Sequence, residues 1–263
     1  MNNFITTLLQ FVNNPDERDT NYNIAYCLIS HCHELDKMSV QDLADECYVS
    51  VSTFNRFFKL FGFKKFVIFK QLIASHVVIR LSQMQYRIKL KDYKQVESTF
   101  YSFLSSNDYQ TVVNASAFII QQCCETILKS KRIVLIGSDE MISNALRFQG
   151  DFCVMKKMTI KDSIYLERFF VPNEDDFVII MTMSGRIVDL NDDLMEHIMA
   201  RHPKALMIGN KDYIKENGMF LQIPMGLDEV LENMILDYYL QEIVYTYARD
   251  YYDCWAIKYF TNN

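Results

Sequence analysis

Short apolar runs that alternate with helix-length segments constrain the fold of the second half of this chain. Four such runs lie at residues 133–136, 154–159, 177–182 and 205–209, and segments of helical length separate them. Strands that are apolar throughout are buried on both faces, which is typical of a parallel sheet covered by helices. The pattern therefore predicts an α/β domain with a mostly parallel sheet flanked by helices.

The first part of the chain has helical periodicity instead. Seven glycines and four prolines are few for 263 residues, and chains poor in these residues are usually rich in helix. The polar residues 91–108 are the predicted linker. We expect an all-α helix-turn-helix domain over 1–78, a helical extension and linker over 79–107, and the α/β domain over 108–263. Predicted helices cover residues 23–35, 40–46, 51–60, 66–90, 112–129, 141–152, 190–201 and 227–250.

Charge is divided unequally between these parts. The formal net charge is −6, but residues 1–91 hold 11 basic and 8 acidic residues, whereas residues 92–263 hold 16 and 25. From Ser50 to Lys91 there are nine basic residues and no acidic residue. A basic segment of this kind indicates either a module that binds a polyanion or a basic solvated face.

The spacing of small and apolar residues in the basic region predicts a helix-turn-helix. Ser39 and Ser50 are placed to cap its two helices, and Asp42 completes a capping box with Ser39. Ala44 is the small residue of the first helix, Val49 follows the turn, and Phe54 and Phe57 lie on the inner face of the second helix. Tyr48 occupies the turn position where glycine is common, and it is strained there if its φ is positive.

The opposite face of the second helix carries hydroxyls, an amide and cations. Such groups bind phosphates and base edges in the DNA major groove. The alternative is an ordinary helical hairpin whose polar face is merely exposed to solvent. The candidate DNA-binding residues are Ser50, Val51, Ser52, Thr53, Asn55, Arg56, Lys59, Lys64 and Lys65.

Residues 20–75 resemble the N-terminal domain of RpiR-type transcriptional regulators. The resemblance rests on Leu43-Ala44, Val49-Ser50, Arg56-Phe57, Lys59-Leu60-Phe61-Gly62-Phe63 and Phe69-Lys70. It implies a regulator that binds double-stranded DNA, is connected with carbohydrate metabolism and carries a C-terminal sugar isomerase (SIS) domain.

Two loops of the predicted sheet are suited to a small anion, because ligands of such sheets lie beyond the carboxyl ends of the strands. Residues 137–140 follow the first strand and residues 182–186 follow a later one. Their hydroxyls and backbone N–H groups are donors for phosphate. The candidate effector-binding residues are Ser138, Thr182, Ser184, Gly185 and Arg186.

The order of elements over residues 108–255 resembles the SIS domain, whose loop hydroxyls hold a sugar phosphate. Gly137, Ser184 and Gly185 match its motifs and Thr182 replaces a serine, but Asp139 and Met141 replace a glycine and a serine, and Ile187 replaces a threonine. Asp139 and Glu140 would repel a phosphate at short range. The pocket therefore binds a phosphosugar weakly, binds a less anionic effector, or serves as an oligomerisation scaffold.

No carboxylate–histidine pair occupies a recognisable catalytic position, so we expect a regulator and not an enzyme, with a sugar-phosphate isomerase as the alternative. We expect no cofactor. Cys27 and His31 are one helical turn apart, which fits zinc, but packing of the helix is the favoured interpretation and we predict no metal site.

An odd number of cysteines, seven, without Cys-x-x-Cys spacing suits free thiols in a reducing cytoplasm. No secretory signal or membrane span is expected. Trp255 and the tyrosines of the last helix are typical of an oligomer interface, so we predict a homodimer or homotetramer formed through the C-terminal domain.

Overall fold

The computed structural model describes residues 4–13, 19–89, 102, 110–163, 171–189, 193–214 and 218–252. Residue 102 is helical, and the rest of the predicted linker at 91–108 lies outside these ranges. None of the helices in these ranges has the length and apolar character needed to cross a bilayer.

Within the described residues up to 89, five helices form the N-terminal region. The helices predicted over 40–46, 51–60 and 66–90 are confirmed to within one residue, whereas the one predicted over 23–35 ends at Ser30 and continues as turns to residue 37. The fifth helix passes without a break through residue 78, where we placed a domain boundary. The helices are α1 (Phe4–Val12), α2 (Thr20–Ser30), α3 (Val40–Glu46), α4 (Val51–Leu60) and α5 (Phe66–Lys89).

Local capping explains where the two short helices begin. The Ser39 hydroxyl accepts from the Asp42 backbone N–H at 3.1 Å, and the Asp42 carboxylate accepts from the Ser39 N–H at 2.8 Å, so the predicted capping box is present. These hydrogen bonds hold the pKa of Asp42 below its usual range. Ser50 caps α4 by accepting from the Thr53 N–H at 3.1 Å.

An aromatic cluster unites these helices. The Phe4 ring of α1 lies 5.1 Å from the ring of Phe61 and 5.3 Å from that of Phe69, both edge-on, and the Phe11 ring lies 5.5 Å from that of Phe57. Edge-to-face pairs at these distances add to the stabilisation that burial of the rings provides. The cluster fixes α4 against α1 and α5.

The remainder is an α/β domain, which confirms the predicted fold class. Its five strands are all parallel and lie in the order β2-β1-β3-β4-β5. The elements are α6 (Gln110–Lys129), β1 (Arg132–Gly137), α7 (Asp139–Asn144), α8 (Leu146–Val154), β2 (Thr159–Ser163), β3 (Asp176–Thr182), α9 (Arg186–Asp189), α10 (Leu194–Met199), β4 (Lys204–Gly209), β5 (Gly218–Gln222) and α11 (Glu229–Asp250). Strand β3 is buried along its whole length.

The strand predicted over 154–159 is wrong. Val154 ends helix α8, and β2 begins only at Thr159. Lys156 has a φ of +63° and reverses the chain, while the Lys157 N–H donates to the Phe152 carbonyl at 2.9 Å. The apolar residues at 152–155 are therefore the buried last turn of a helix and not a strand.

Three other differences concern element bounds. The single helix predicted over 141–152 is two helices, α7 and α8, which break at Ala145. The helix predicted over 190–201 is confirmed only over Leu194–Met199, and residues 190–192 lie outside the described ranges. Strand β5 was not predicted, because it is an edge strand with only Leu221 fully buried.

The cysteines within the described ranges are free and buried, as predicted, and Cys254 lies outside those ranges. Burial raises the pKa of the Cys153 thiol to about 12, so this thiol is unreactive at neutral pH. Among the described residues, no three metal-ligating side chains come together.

The N-terminal helices α1 and α5 pack against helix α8. Gln149 of α8 is 1% exposed and exchanges two hydrogen bonds with Asn13, which follows α1, at 2.7 and 2.8 Å. Arg80 of α5 pairs with Asp151 of α8, and Arg87 of α5 donates to the Tyr245 hydroxyl of α11 at 2.9 Å. Buried polar groups paired in this way fix the orientation of the α1–α5 region on the α/β domain.

Candidate functional site

The first candidate surface is the outer face of α4 with the residues that follow it. Phe54, Phe57 and Phe58 point inward and are buried, so the opposite side of the helix is left to solvent. The exposed members of the predicted DNA-binding set are Ser50, Ser52, Arg56, Lys59, Lys64 and Lys65, while Val51, Thr53 and Asn55 are half-buried. Every residue of the predicted set is therefore at least partly accessible to solvent.

Three members of this set have hydrogen bonds to one another. The Ser50 and Thr53 hydroxyls lie 2.9 Å apart, and the Arg56 guanidinium donates to the Thr53 hydroxyl at 3.4 Å. These hydrogen bonds connect Ser50, the N-cap of α4, through Thr53 to Arg56. They orient Arg56 along the exposed surface without consuming its other donors.

The turn before α4 has the geometry expected of its position. Tyr48 has a φ of +56° and is 96% exposed, so the condition for the strain predicted at this residue is met. The Val49 N–H donates to the Ala44 carbonyl at 2.9 Å and closes the turn. The turn thus directs the first residues of α4 outward.

The second candidate site lies at the carboxyl edge of the sheet. Strands β1 and β3 are neighbours, and Gly137 pairs in register with Met181. The chain leaves β1 toward β2 on one side and β3 leads to β4 on the other, so the loops after β1 and β3 border the crevice where the strand order reverses. Ligands bind at this point in open parallel sheets.

The five predicted effector residues all lie in those two loops. Ser138 caps α7 by accepting from the Met141 N–H at 3.5 Å, and Thr182 accepts from the Gly185 N–H at 3.0 Å. A hydroxyl that accepts a backbone bond keeps its own hydrogen to donate. Ser184 and Arg186 are exposed, whereas Thr182 is 2% exposed and positions the loop.

Close contacts with neighbouring atoms explain why two positions at this edge of the sheet are glycine. Gly185 has a φ of +72°, and a Cβ there would lie 2.1 Å from the Tyr213 hydroxyl oxygen. A Cβ on Gly209 would lie 2.1 Å from the Thr182 carbonyl oxygen. The loop after β3 is therefore packed directly against the chain that leaves β4.

Sequence reasoning missed three residues that complete the edge. The Tyr213 hydroxyl donates to Asp189 Oδ1 at 2.9 Å, and Lys211 Nζ lies 3.6 Å from the same oxygen and 4.5 Å from the centre of the Tyr213 ring. Contacts with Tyr213 and Asp189 raise the pKa of Lys211, so it stays charged. Lys211 and Tyr213 follow β4, whereas Asp189 ends α9. The strand predicted over 205–209 was a partial signal, because parallel strands end at the same edge of the sheet, but sequence spacing alone does not show that β4 lies beside β3.

The substituted positions of the loops are only partly described. Met141 is half-buried and packs against the core. The side chains of Asp139, Glu140 and Ile187 lie outside the described part of the chain, so the predicted repulsion of a phosphate by the two carboxylates stays a prediction. Arg186 and Lys211 are exposed cations in the segments that follow β3 and β4.

The structure thus combines a helical region that has exposed cations with an α/β domain whose strand order reverses between β1 and β3. No protein-family model matches the sequence, and a search of curated proteins finds no significant match.

The chain is similar to several solved structures. One is the Vibrio vulnificus NanR protein complexed with ManNAc-6P, at 13% identity over 93% of this chain and 92% of that one, with a TM-score of 0.42. Another, described as "Putative sugar binding protein from Salmonella typhimurium LT2", has 18% identity over 68% of this chain and 54% of that one, with a TM-score of 0.40. A third is the C-terminal domain of glucosamine-fructose-6-phosphate aminotransferase from Francisella tularensis. It has 14% identity over 68% of this chain and 52% of that one, with a TM-score of 0.43. The fold class rests on the parallel sheet itself and not on these similarities.

Proposed function

We propose that this protein is a DNA-binding transcriptional regulator of the RpiR type whose α/β domain takes a small effector, a sugar phosphate or a related compound. The observation that carries the proposal is the outer face of α4. It presents cations on a helix whose start is capped and whose inner face is packed, within a segment that contains no acidic residue. Phosphate neutralisation by such cations supplies most of the affinity for DNA.

The side chains of this face have different roles in the proposal. Asn55 and Arg56 have the donors that read base edges in the major groove, and arginine binds guanine in bidentate fashion. Ser50 lies at the start of α4, and Lys64 and Lys65 lie directly before α5. Hydroxyls and ammonium groups at such positions would bind the phosphate backbone. Two copies of α4 in an oligomer would read half-sites about 34–36 Å apart, or a multiple of that distance.

A physical route connects the crevice with the DNA-binding helices. Ser138 at the crevice caps α7, and α8 follows after Ala145 alone. Helix α8 in turn holds α5 through Asp151 and the end of α1 through Gln149. An effector that shifts α7 therefore acts on the element that orients the DNA-binding helices, and we propose that it changes operator affinity in this way.

A selection experiment tests DNA binding without knowledge of the operator. Random-sequence duplexes are incubated with the full-length protein, bound duplexes are recovered over several rounds, and their affinity is measured by gel shift at fixed salt. We expect enrichment of sites with two related halves. Recovery of no enriched sequence, with binding as weak as that of an unrelated acidic protein, contradicts the proposal.

Calorimetric titration tests the effector. Sugar phosphates are added to the wild type and to the variant Asp139→Gly/Met141→Ser, which restores the residue types of the SIS loop. Tighter binding by the variant supports a weakened phosphosugar site, whereas no gain supports a different effector or a scaffold. The proposal assigns no catalytic step to the crevice. Turnover of a sugar phosphate by the wild type would instead identify an isomerase.

A further inference from the structure

Helix α5 has two apolar faces. Contacts within the chain bury one of them completely and the other only in part, at Leu72, which is half-buried against the core. The inner face consists of five buried side chains: Phe69, Ile73, Val77, Leu81 and Met84. These residues recur at three- and four-residue steps, so they form a single seam toward the core. The remaining face therefore requires a separate explanation.

The outer face carries a second seam with regular spacing. Its members are Ile68, Leu72, Ser75, Ile79, Ser82 and Tyr86. The steps between them alternate between four and three residues, which is the a/d spacing of a left-handed coiled coil. Ile68, Ile79 and Tyr86 are 52%, 44% and 64% exposed, and both serines are exposed. The seam spans 19 residues, about 28 Å of helix.

The outer seam is free of charge, which is unusual for a solvated helix face. Each charged side chain between residues 67 and 87 is directed elsewhere. Lys70 donates to the carbonyls of Asp36 and Met38 at 3.0 and 3.1 Å, Arg80 pairs with Asp151, and Arg87 donates to Tyr245. The Nδ1 atom of His76 accepts from the Phe4 N–H at 2.8 Å. The positions that flank the seam include Gln71, Gln83 and Gln85.

The absence of charge indicates which partner fits. A nucleic acid requires cations, and a charged protein surface requires opposite charges, and the seam offers neither. A twofold interface sets one patch against its own copy, so any charge near the axis would meet a charge of the same sign. A charge-free seam with apolar and small side chains avoids that repulsion, and the small serines let two helices approach closely.

We propose that the outer seam of α5 is a homodimer interface, in which the α5 helices of two copies pack against each other along the seam. It differs from the predicted interface in the C-terminal domain, where Tyr239 and Tyr247 are 1% and 4% exposed and belong to the core of one chain. The seam needs no effector and no DNA, so its test is separate from that of the proposed function.

Sedimentation velocity of the full-length protein over a range of concentrations tests the interface. Ile79→Glu places a carboxylate on each side of the seam, and we expect it to raise the dimer dissociation constant at least about 100-fold. Phe118→Glu on α6 and Val230→Glu on α11 are matched controls, since these side chains are 67% and 66% exposed. Because Ile79 is exposed, circular dichroism of the variant should match that of the wild type.

A wild type that is monomeric at every concentration overturns the proposal. It is also overturned if Ile79→Glu leaves the dissociation constant unchanged while Phe118→Glu or Val230→Glu raises it.

Cross-linking gives a second readout that does not depend on destabilising the dimer. Ser75→Cys introduces an exposed thiol in the middle of the seam, and a short bismaleimide should join two copies through it. Ser30→Cys, on the exposed side of α2, is the control and should give no more product than the wild type. Equal yields from both variants contradict the proposed seam.

Discussion

Arg80 of α5 and Asp151 of α8 form a buried ion pair that fastens the N-terminal helices to the α/β domain. Their side chains are 19% and 3% exposed. Burial raises the pKa of the Asp151 carboxyl, and the Arg80 guanidinium opposes that effect. A second cation, Arg147, lies 3.9 Å from the other Asp151 oxygen but is 43% exposed.

Removing Arg80 should therefore cost much more than removing Arg147. We expect Arg80→Ala to lower the free energy of unfolding by about 3–5 kcal/mol, because Asp151 is left buried without its main partner. Arg147→Ala should cost less than about 1 kcal/mol, as solvent-exposed pairs do. Urea denaturation of both variants at pH 7 measures the difference, and equal losses would mean that the pair does not join the two parts.

Tyr48 stores backbone strain in the turn between α3 and α4. With a φ of +56° and an exposed ring, it gains little from packing. Tyr48→Gly should stabilise the protein by about 0.5–1 kcal/mol, since relief of the strain outweighs the added freedom of the unfolded chain. The midpoint of thermal unfolding should rise by a few degrees. A lower midpoint would show that the tyrosine side chain has a stabilising contact.

Gly185 is required by its neighbour as well as by its backbone angle. Gly185→Ala should destabilise the protein by about 1–3 kcal/mol, because the methyl group meets the Tyr213 hydroxyl at a positive φ. In a Tyr213→Ala background the same change should cost only about 1–2 kcal/mol, which is the strain alone. A double-mutant cycle by urea denaturation separates the two contributions, and an unchanged cost in both backgrounds would exclude the steric one.

Glu242 of α11 should make stability depend on pH. Within the described part of the chain its Oε1 is buried and accepts no hydrogen bond, and burial raises the pKa of the carboxyl to about 7. The native state therefore holds a proton that the unfolded chain releases near pH 4.5. This contribution to stability is complete below about pH 4.5 and is lost as the pH rises through 7.

Glu242→Gln should abolish the decrease in the free energy of unfolding that Glu242 causes as the pH rises through 7. We expect the free energy of unfolding at pH 9, relative to wild type, to improve by about 3 kcal/mol more than it does at pH 4.5. Glu125→Gln, at an exposed position on α6, is the control. Parallel pH profiles for Glu242→Gln and the wild type would mean that Glu242 stays ionised in the native protein.

The bounds of the N-terminal helices α3 and α4 depend on local features that can be read from the sequence. Ser39 and Ser50 cap their helices, and Phe54 and Phe57 define the buried side of α4, so the bounds of both helices were predictable. The central strands were equally clear, because residues 133–137 and 177–181 are apolar without interruption. The acid-free basic segment also predicted the exposed cations of α4.

The errors come from contacts between distant parts of the chain. The apolar residues 152–155 suit a strand or a buried helix end, and only their packing against distant residues, such as that of Phe152 against Tyr247 of α11, decides for the helix. Strand β5 is an edge strand with little apolar content. Lys211 and Tyr213 reach the crevice through the pairing of β3 with β4, which sequence spacing alone does not reveal.

The most direct test of the proposed function is the affinity of wild type and Arg56→Ala for one selected duplex, measured by fluorescence anisotropy at several salt concentrations. We expect Arg56→Ala to weaken specific binding about 10- to 100-fold while random duplexes are bound with little change. Lys129→Ala, at an exposed lysine of α6, should leave both affinities unchanged. Equal affinity of wild type and Arg56→Ala for the selected duplex would contradict the assignment of α4 as the recognition helix.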